Sequence, residues 1–168
     1  MKFSNLQRTE VLGILSSILL LISLSIPIVG LDVPWFSLEE SQERINQEAW
    51  ICGTREYSCD AWSTFPLLRW LLVAAAAAPL ILTYFILRAQ KGKYPTGEFT
   101  MTVGLIAIVL IGFVGILDKP GNSIEQIGIS LDLGYFLAMG AAVLMTIAGA
   151  FRSIESGGGA GRRPPGTF

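Results

Sequence analysis

The chain of 168 residues is 52% hydrophobic and 15% charged, with a mean hydropathy of +0.57, whereas a typical soluble domain carries about 25% charge. That balance excludes an ordinary water-soluble domain and places the chain among integral membrane proteins. A net charge of -1 offers no basic surface for nucleic acid, and a sequence without histidine excludes imidazole acid–base chemistry, histidine metal sites and histidine haem ligation.

A short polar start bearing Lys2 and Arg8 leads into residues 11–29, nineteen positions without a charge. At about 1.5 Å per residue such a helix reaches roughly 28 Å, close to the hydrocarbon thickness of about 30 Å. This is the first expected span. The other reading, a cleaved signal peptide, fits less well. The run exceeds the usual apolar core of about 7–15 residues, and its end, I-P-I-V-G-L-D, has no clear small-residue cleavage site.

Residues 30–66 form the longest polar segment. Seven acids stand there (Asp32, Glu39, Glu40, Glu43, Glu48, Glu56, Asp60) against Arg44 and Arg55. Ser37 followed by Glu40 is a capping-box signature, and Leu38, Ile45 and Ala49 recur at helical spacing, which predicts a helix over about 38–49. Trp35, Phe36 and Trp50 are then placed near the membrane–water interface, where amphipathic rings concentrate.

The second span is expected over 67–87, with a slim alanine run, Ala74 to Ala78. Pro79 removes a backbone donor there and predicts a kink. Arg88, Lys91 and Lys93 close it. The third span covers 99–117, a return loop D-K-P-G-N follows, and the fourth span covers 133–151. Residues 152–168 are rich in Gly and Pro and are expected to be disordered.

Orientation follows from the cations. The N-terminus, the second connection and the tail hold eight of them (Lys2, Arg8, Arg88, Lys91, Lys93, Arg152, Arg162, Arg163), whereas the other two connections hold Arg44, Arg55 and Lys119. The positive-inside rule puts both termini in the cytoplasm and the acidic loop outside.

Cys52 and Cys59, the two cysteines, therefore face an oxidising compartment and are expected to pair. Closing so small a loop is worth about 2.5 kcal/mol on a chain-entropy basis. A redox role is disfavoured because the spacing is not Cys-x-x-Cys. Arg69 is the one charge inside any of the four runs and stands near an outer end, where its stem can snorkel to the headgroups. As an anchor or anion-binding group it has Asp118 and Asp132 as candidate partners at the same depth, with Trp62 and Trp70 beside it. Asp132 also suits the positive end of its own helix without any partner.

Gly134, Ala138, Ala142, Thr146 and Ala150 repeat at every fourth position of the fourth span. That small-residue face permits close helix approach and is read as packing within the chain rather than as a homo-oligomer interface. The four spans contain no carboxylate near their middle for a proton relay. No phosphate-binding glycine loop, paired catalytic carboxylates or serine nucleophile motif is present either, so an enzyme is not expected.

The chain resembles a broad group of small four-span membrane proteins of actinobacteria. The likeness rests on A-W-S-T-F-P-L-L-R-W-L-L before the alanine run, I-L-D-K-P-G closing the third span, and G-Y-F-L-A-M-G-A-A-V-L-M-T-I-A-G in the fourth. It covers most of the chain from Trp35 onward and implies a four-span fold without an activity, cofactor or catalytic residue to carry over. A weaker likeness to claudin-type tetraspan proteins lies in the order Trp50, Cys52, Cys59, Arg69. The Gly-Leu expected before that Trp is replaced by Glu48 and Ala49, which leaves shared outer-loop physics rather than kinship.

The sequence thus predicts an all-α, four-helix transmembrane bundle over residues 1–151 with a disulfide-closed outer loop. No cofactor or metal is expected. The expected function is that of a structural or accessory component contacting another envelope protein, the alternative being a subunit of an oligomeric small-solute channel or transporter.

Overall fold

The computed structural model describes residues 8–24, 33–38, 58–88, 96–117 and 129–157. The described chain is mostly helical. In order it comprises α1 (Arg8–Ser23), β1 (Phe36–Leu38), β2 (Ser58–Cys59), α2 (Ala61–Thr64), α3 (Pro66–Arg88), α4 (Thr96–Ile116), β3 (Ile129–Leu131) and α5 (Leu133–Gly157). Three stretches among the described residues are long and apolar enough to cross a membrane: Pro66–Phe85, Gly97–Ile116 and Leu133–Ile154. Large apolar side chains stand exposed along them, Val109, Phe85 and Ile106 among them, an arrangement suited to lipid rather than to water.

α4 and α5 run antiparallel in the closest helix pairing, and glycine makes it possible. A Cβ on Gly104 would lie 2.5 Å from Thr146 Oγ1 and 2.7 Å from Thr146 N. One on Gly97 would lie 2.9 Å from Gly149 O. Gly115 meets the Tyr135 ring in the same register toward the other end. At Gly97 and Gly104 backbone passes against backbone, which a side chain would obstruct.

α1 lies between α3 and α5. Its buried hydroxyls turn inward onto its own carbonyls: Ser16 and Ser17 both donate to Gly13 O, and Ser23 donates to Leu20 O. Serines in an apolar run are thereby satisfied without water. At 16 residues α1 covers about 24 Å. One end meets α5 at Arg152. At the other, the Ser23 carbonyl accepts a 2.6 Å hydrogen bond from Trp35 Nε1, and Trp35 packs edge-to-face on Tyr135 of α5. Residues 25–29 of the expected first span lie outside the described residues.

The all-α expectation requires correction, because a three-stranded antiparallel sheet in the order β2-β1-β3 covers one end of the bundle. Phe36 pairs with Cys59 on one side and Leu131 on the other, and Ser37 pairs with Ser58 and Ser130. Ser37 is consequently not a helix cap. It sits in a strand, with its hydroxyl 2.7 Å from that of Ser130, and the remainder of the expected 38–49 helix beyond Leu38 lies outside the described residues. Trp35 also departs from its expected interfacial place. Fully buried with Phe36 and Cys59, it joins the sheet to Leu20, Leu24, Leu72 and Tyr135 in one core. Trp35→Phe is expected to lose about 1–3 kcal/mol, since the buried Ser23 carbonyl is left without its donor, and Trp35→Ala about 3–5 kcal/mol. Thermal unfolding in detergent checks both.

One further boundary differs, while the second expected span agrees with α3. α5 continues through Arg152 to Gly157, where a disordered tail was expected from 152 onward. α3 is one helix with Pro79 inside it, and Thr83 Oγ1 donates to the Pro79 carbonyl at 2.8 Å.

Candidate functional site

At the sheet-covered end, the run from Asp60 to Trp70 builds a charged aromatic clamp. Asp60 caps α2, its carboxylate accepting from Ser63 N at 2.9 Å and also from the Ser63 hydroxyl. That cap fixes Trp62 on a single helical turn, and Phe65 ends the turn before Pro66 opens α3 with a residue that needs no backbone donor. Arg69 and Trp70 then stand one turn into α3. The Arg69 guanidinium lies 5.1 Å from the Trp62 ring centroid and 5.8 Å from that of Trp70, within cation–π range of both, while the two rings are 5.7 Å apart. Nη1 donates to the Trp62 carbonyl at 3.0 Å, and the buried Nε has no hydrogen-bond partner among the described residues.

Asp132 forms no ion pair with Arg69. Its carboxylate accepts from Leu133 N at 2.6 Å and its carbonyl from Tyr135 N, so it starts α5 instead. Asp118, the other candidate partner, lies outside the described residues, as do Trp50 and Cys52. Cys59 is fully buried in β2 and is not a free thiol. Along the fourth-span stripe, Gly134 abuts Pro34 O and the Trp35 ring. Ala138 and Ala142 are fully buried, Thr146 faces Gly104 while donating to Ala142 O, and Ala150 is half-buried.

Beside Trp70, Pro66, Leu67 and Leu71 complete an open apolar groove of about 410 Å³. Leu67 is 74% exposed and Trp70 59%, so the groove faces outward from the bundle.

At the opposite end, sequence reasoning did not anticipate an ion pair that binds the first and last helices. Arg152 Nη2 donates to Glu10 Oε1 at 3.0 Å, with the side chains only 17% and 9% exposed. Together with Thr83, Thr100 and Gly13, these groups line a cavity of about 10 Å³, room for about one water. The missed signal was topological. Glu10 precedes the first apolar run and Arg152 follows the last, so parallel placement of both termini brings them to one level.

No family model, curated protein or solved structure matches the chain.

Proposed function

We propose that the protein is a four-span, multi-pass protein of the cell membrane with both termini cytoplasmic, and that it serves as a structural or accessory component contacting another envelope protein. The fourth span in this reading is α1. Its support is the pairing of α1 with α5 at both ends, Glu10 with Arg152 and Ser23 with the Trp35–Tyr135 pair, which sets this 16-residue helix alongside the membrane-capable part of α5.

The observation that carries the functional reading is a bundle interior packed shut by Leu20, Leu72, Ile111, Ala138, Ala142 and Met145, all fully buried. The cavity that Glu10, Thr83, Thr100 and Arg152 line between the helices is the size of a single water. A packed interior of this kind offers no solute path through one chain, so the alternative, a channel or transporter subunit, requires the path to lie between copies. The acidic loop is the surface assigned to a partner, since the small-residue face of the fourth span is taken up by packing within the chain. Native extraction in mild detergent tests this: a partner should co-purify and be lost on deletion of residues 39–48. Solute flux in liposomes that falls on Arg69→Ala, without any co-purifying protein, would favour the transport reading instead.

The outer loop is closed, in this proposal, by a Cys52–Cys59 disulfide. Impermeant thiol reagent on intact cells should label the chain only after reduction. Labelling without reduction rejects the disulfide, and labelling that needs permeabilisation rejects the sidedness.

A further inference from the structure

Arg69 carries five N–H donors, of which the Trp62 carbonyl takes one. No carboxylate among the described residues neutralises it. Asp60 is engaged with Ser63 and Asp132 with Leu133, and the ion pair between described side chains joins Glu10 to Arg152 at the other end of the molecule. A guanidinium packed against two neighbouring indoles, with a buried Nε that finds no acceptor among the described residues, is positioned before any ligand arrives. It also sits beside an apolar groove that opens away from the bundle. Cation and groove share Trp70, so one ligand can reach both. Such a ligand has to be anionic at one end and hydrocarbon at the other.

We propose that Arg69, Trp62 and Trp70 form a recognition site for the phosphate of a membrane phospholipid, with an acyl chain of the same lipid lying over Pro66, Leu67, Trp70 and Leu71. A phosphodiester accepts paired guanidinium donors as a charge-assisted contact, which an arginine with no carboxylate partner among the described residues leaves available. The exposed indole of Trp70 suits the headgroup level, where one face meets hydrocarbon and one edge meets polar atoms. Free inorganic phosphate would use the cation and leave the groove empty. A protein partner would be expected to supply a carboxylate and to need more than one short groove.

The full chain in neutral maltoside micelles, titrated with dioctanoyl phosphatidylglycerol and followed by native mass spectrometry, tests the assignment. The wild-type chain should retain one lipid saturably, and Arg69→Gln should weaken retention by about tenfold, with Arg69→Lys between the two. Dioctanoylglycerol, which lacks the phosphate, should bind the wild-type chain no better than the phosphatidylglycerol binds Arg69→Gln. Equal retention by Arg69→Gln and wild type overturns the proposal, as does equal binding of the two lipids. Displacement of the lipid by inorganic phosphate at comparable concentration would make this a free-anion site and overturn the lipid assignment. If Arg69→Gln fails to fold, the comparison of the two lipids on the wild-type chain decides, supported by Leu67→Asn, which should weaken retention through the groove alone.

Discussion

Arg152→Leu is expected to destabilise the bundle by about 3–5 kcal/mol, because it takes the Arg152 cation away from the Glu10 carboxylate, which is only 9% exposed. Glu10→Gln should cost less, since Arg152 is more exposed and its long stem can carry the charge toward water. The double variant Glu10→Gln, Arg152→Leu should recover most of the loss. Removing both charges removes the desolvation that each imposed, and well-packed apolar replacements of buried ion pairs are often neutral. Unfolding in mixed micelles checks the series. Additive losses in the double variant would show that the two groups act through separate surroundings rather than on each other. The physical consequence concerns α1, which has this pair at one end and the Trp35–Ser23 hydrogen bond at the other. Loss of the pair should therefore loosen α1 first, and proteolysis within the first helix should quicken before the α4–α5 pairing fails.

The second large effect is steric. Valine at Gly104 or Gly149 must place its Cβ against backbone of the facing helix. At Gly104 the obstacle is Thr146 N at 2.7 Å. At Gly149 it is Met101 Cα, also at 2.7 Å, with Gly97 O at 2.8 Å. Side chains can rotate away, but these atoms cannot move unless α4 and α5 separate. Each substitution is expected to cost about 3 kcal/mol, at the upper end of overpacking losses, and the pair of variants together should abolish the folded state. Gly140 supplies the control, since nothing lies within 4 Å of a Cβ there. Gly140→Ala should be neutral or slightly stabilising, as alanine is favoured over glycine in a helix by about 1 kcal/mol. A loss at Gly140 equal to that at Gly104 would show that the effect does not come from the close approach of the two backbones.

What was legible in the sequence was what depends on neighbours along the chain. Apolar runs of about twenty residues located α3, α4 and the greater part of α5, because crossing hydrocarbon is a local requirement of length and polarity. The sheet was not legible. Phe36-Ser37-Leu38 is too short to show alternation, and its strand partners lie near residues 58 and 130, so Ser37 and Glu40 read as a capping box while the pairing with Ser130 stayed hidden. Trp35 was misplaced for a related reason. An indole needs an acceptor for its N–H, and the interface is one source of acceptors, but here the last turn of α1 supplies the Ser23 carbonyl and the ring goes inside. Arg69 was singled out by its charge in an apolar run, and Trp62 and Trp70 by their position. That both indoles would pack against the guanidinium depended on the one-turn α2 set by Asp60 and Ser63, four residues with little periodicity of their own. The Glu10–Arg152 pair needed both the number of crossings and their order.

The central claim is that α1 crosses the membrane as the fourth span, and the side on which the N-terminus lies tests it most directly. Single cysteines introduced as Ser4→Cys, Ser63→Cys and Ser156→Cys, in the otherwise native chain without reduction, can be probed by impermeant maleimide on intact cells, with the parent chain as blank. The account predicts labelling at position 63 on intact cells, and at positions 4 and 156 only after permeabilisation. Labelling at position 4 on intact cells together with position 63 would place α1 wholly on the outer side and contradict the four-span bundle.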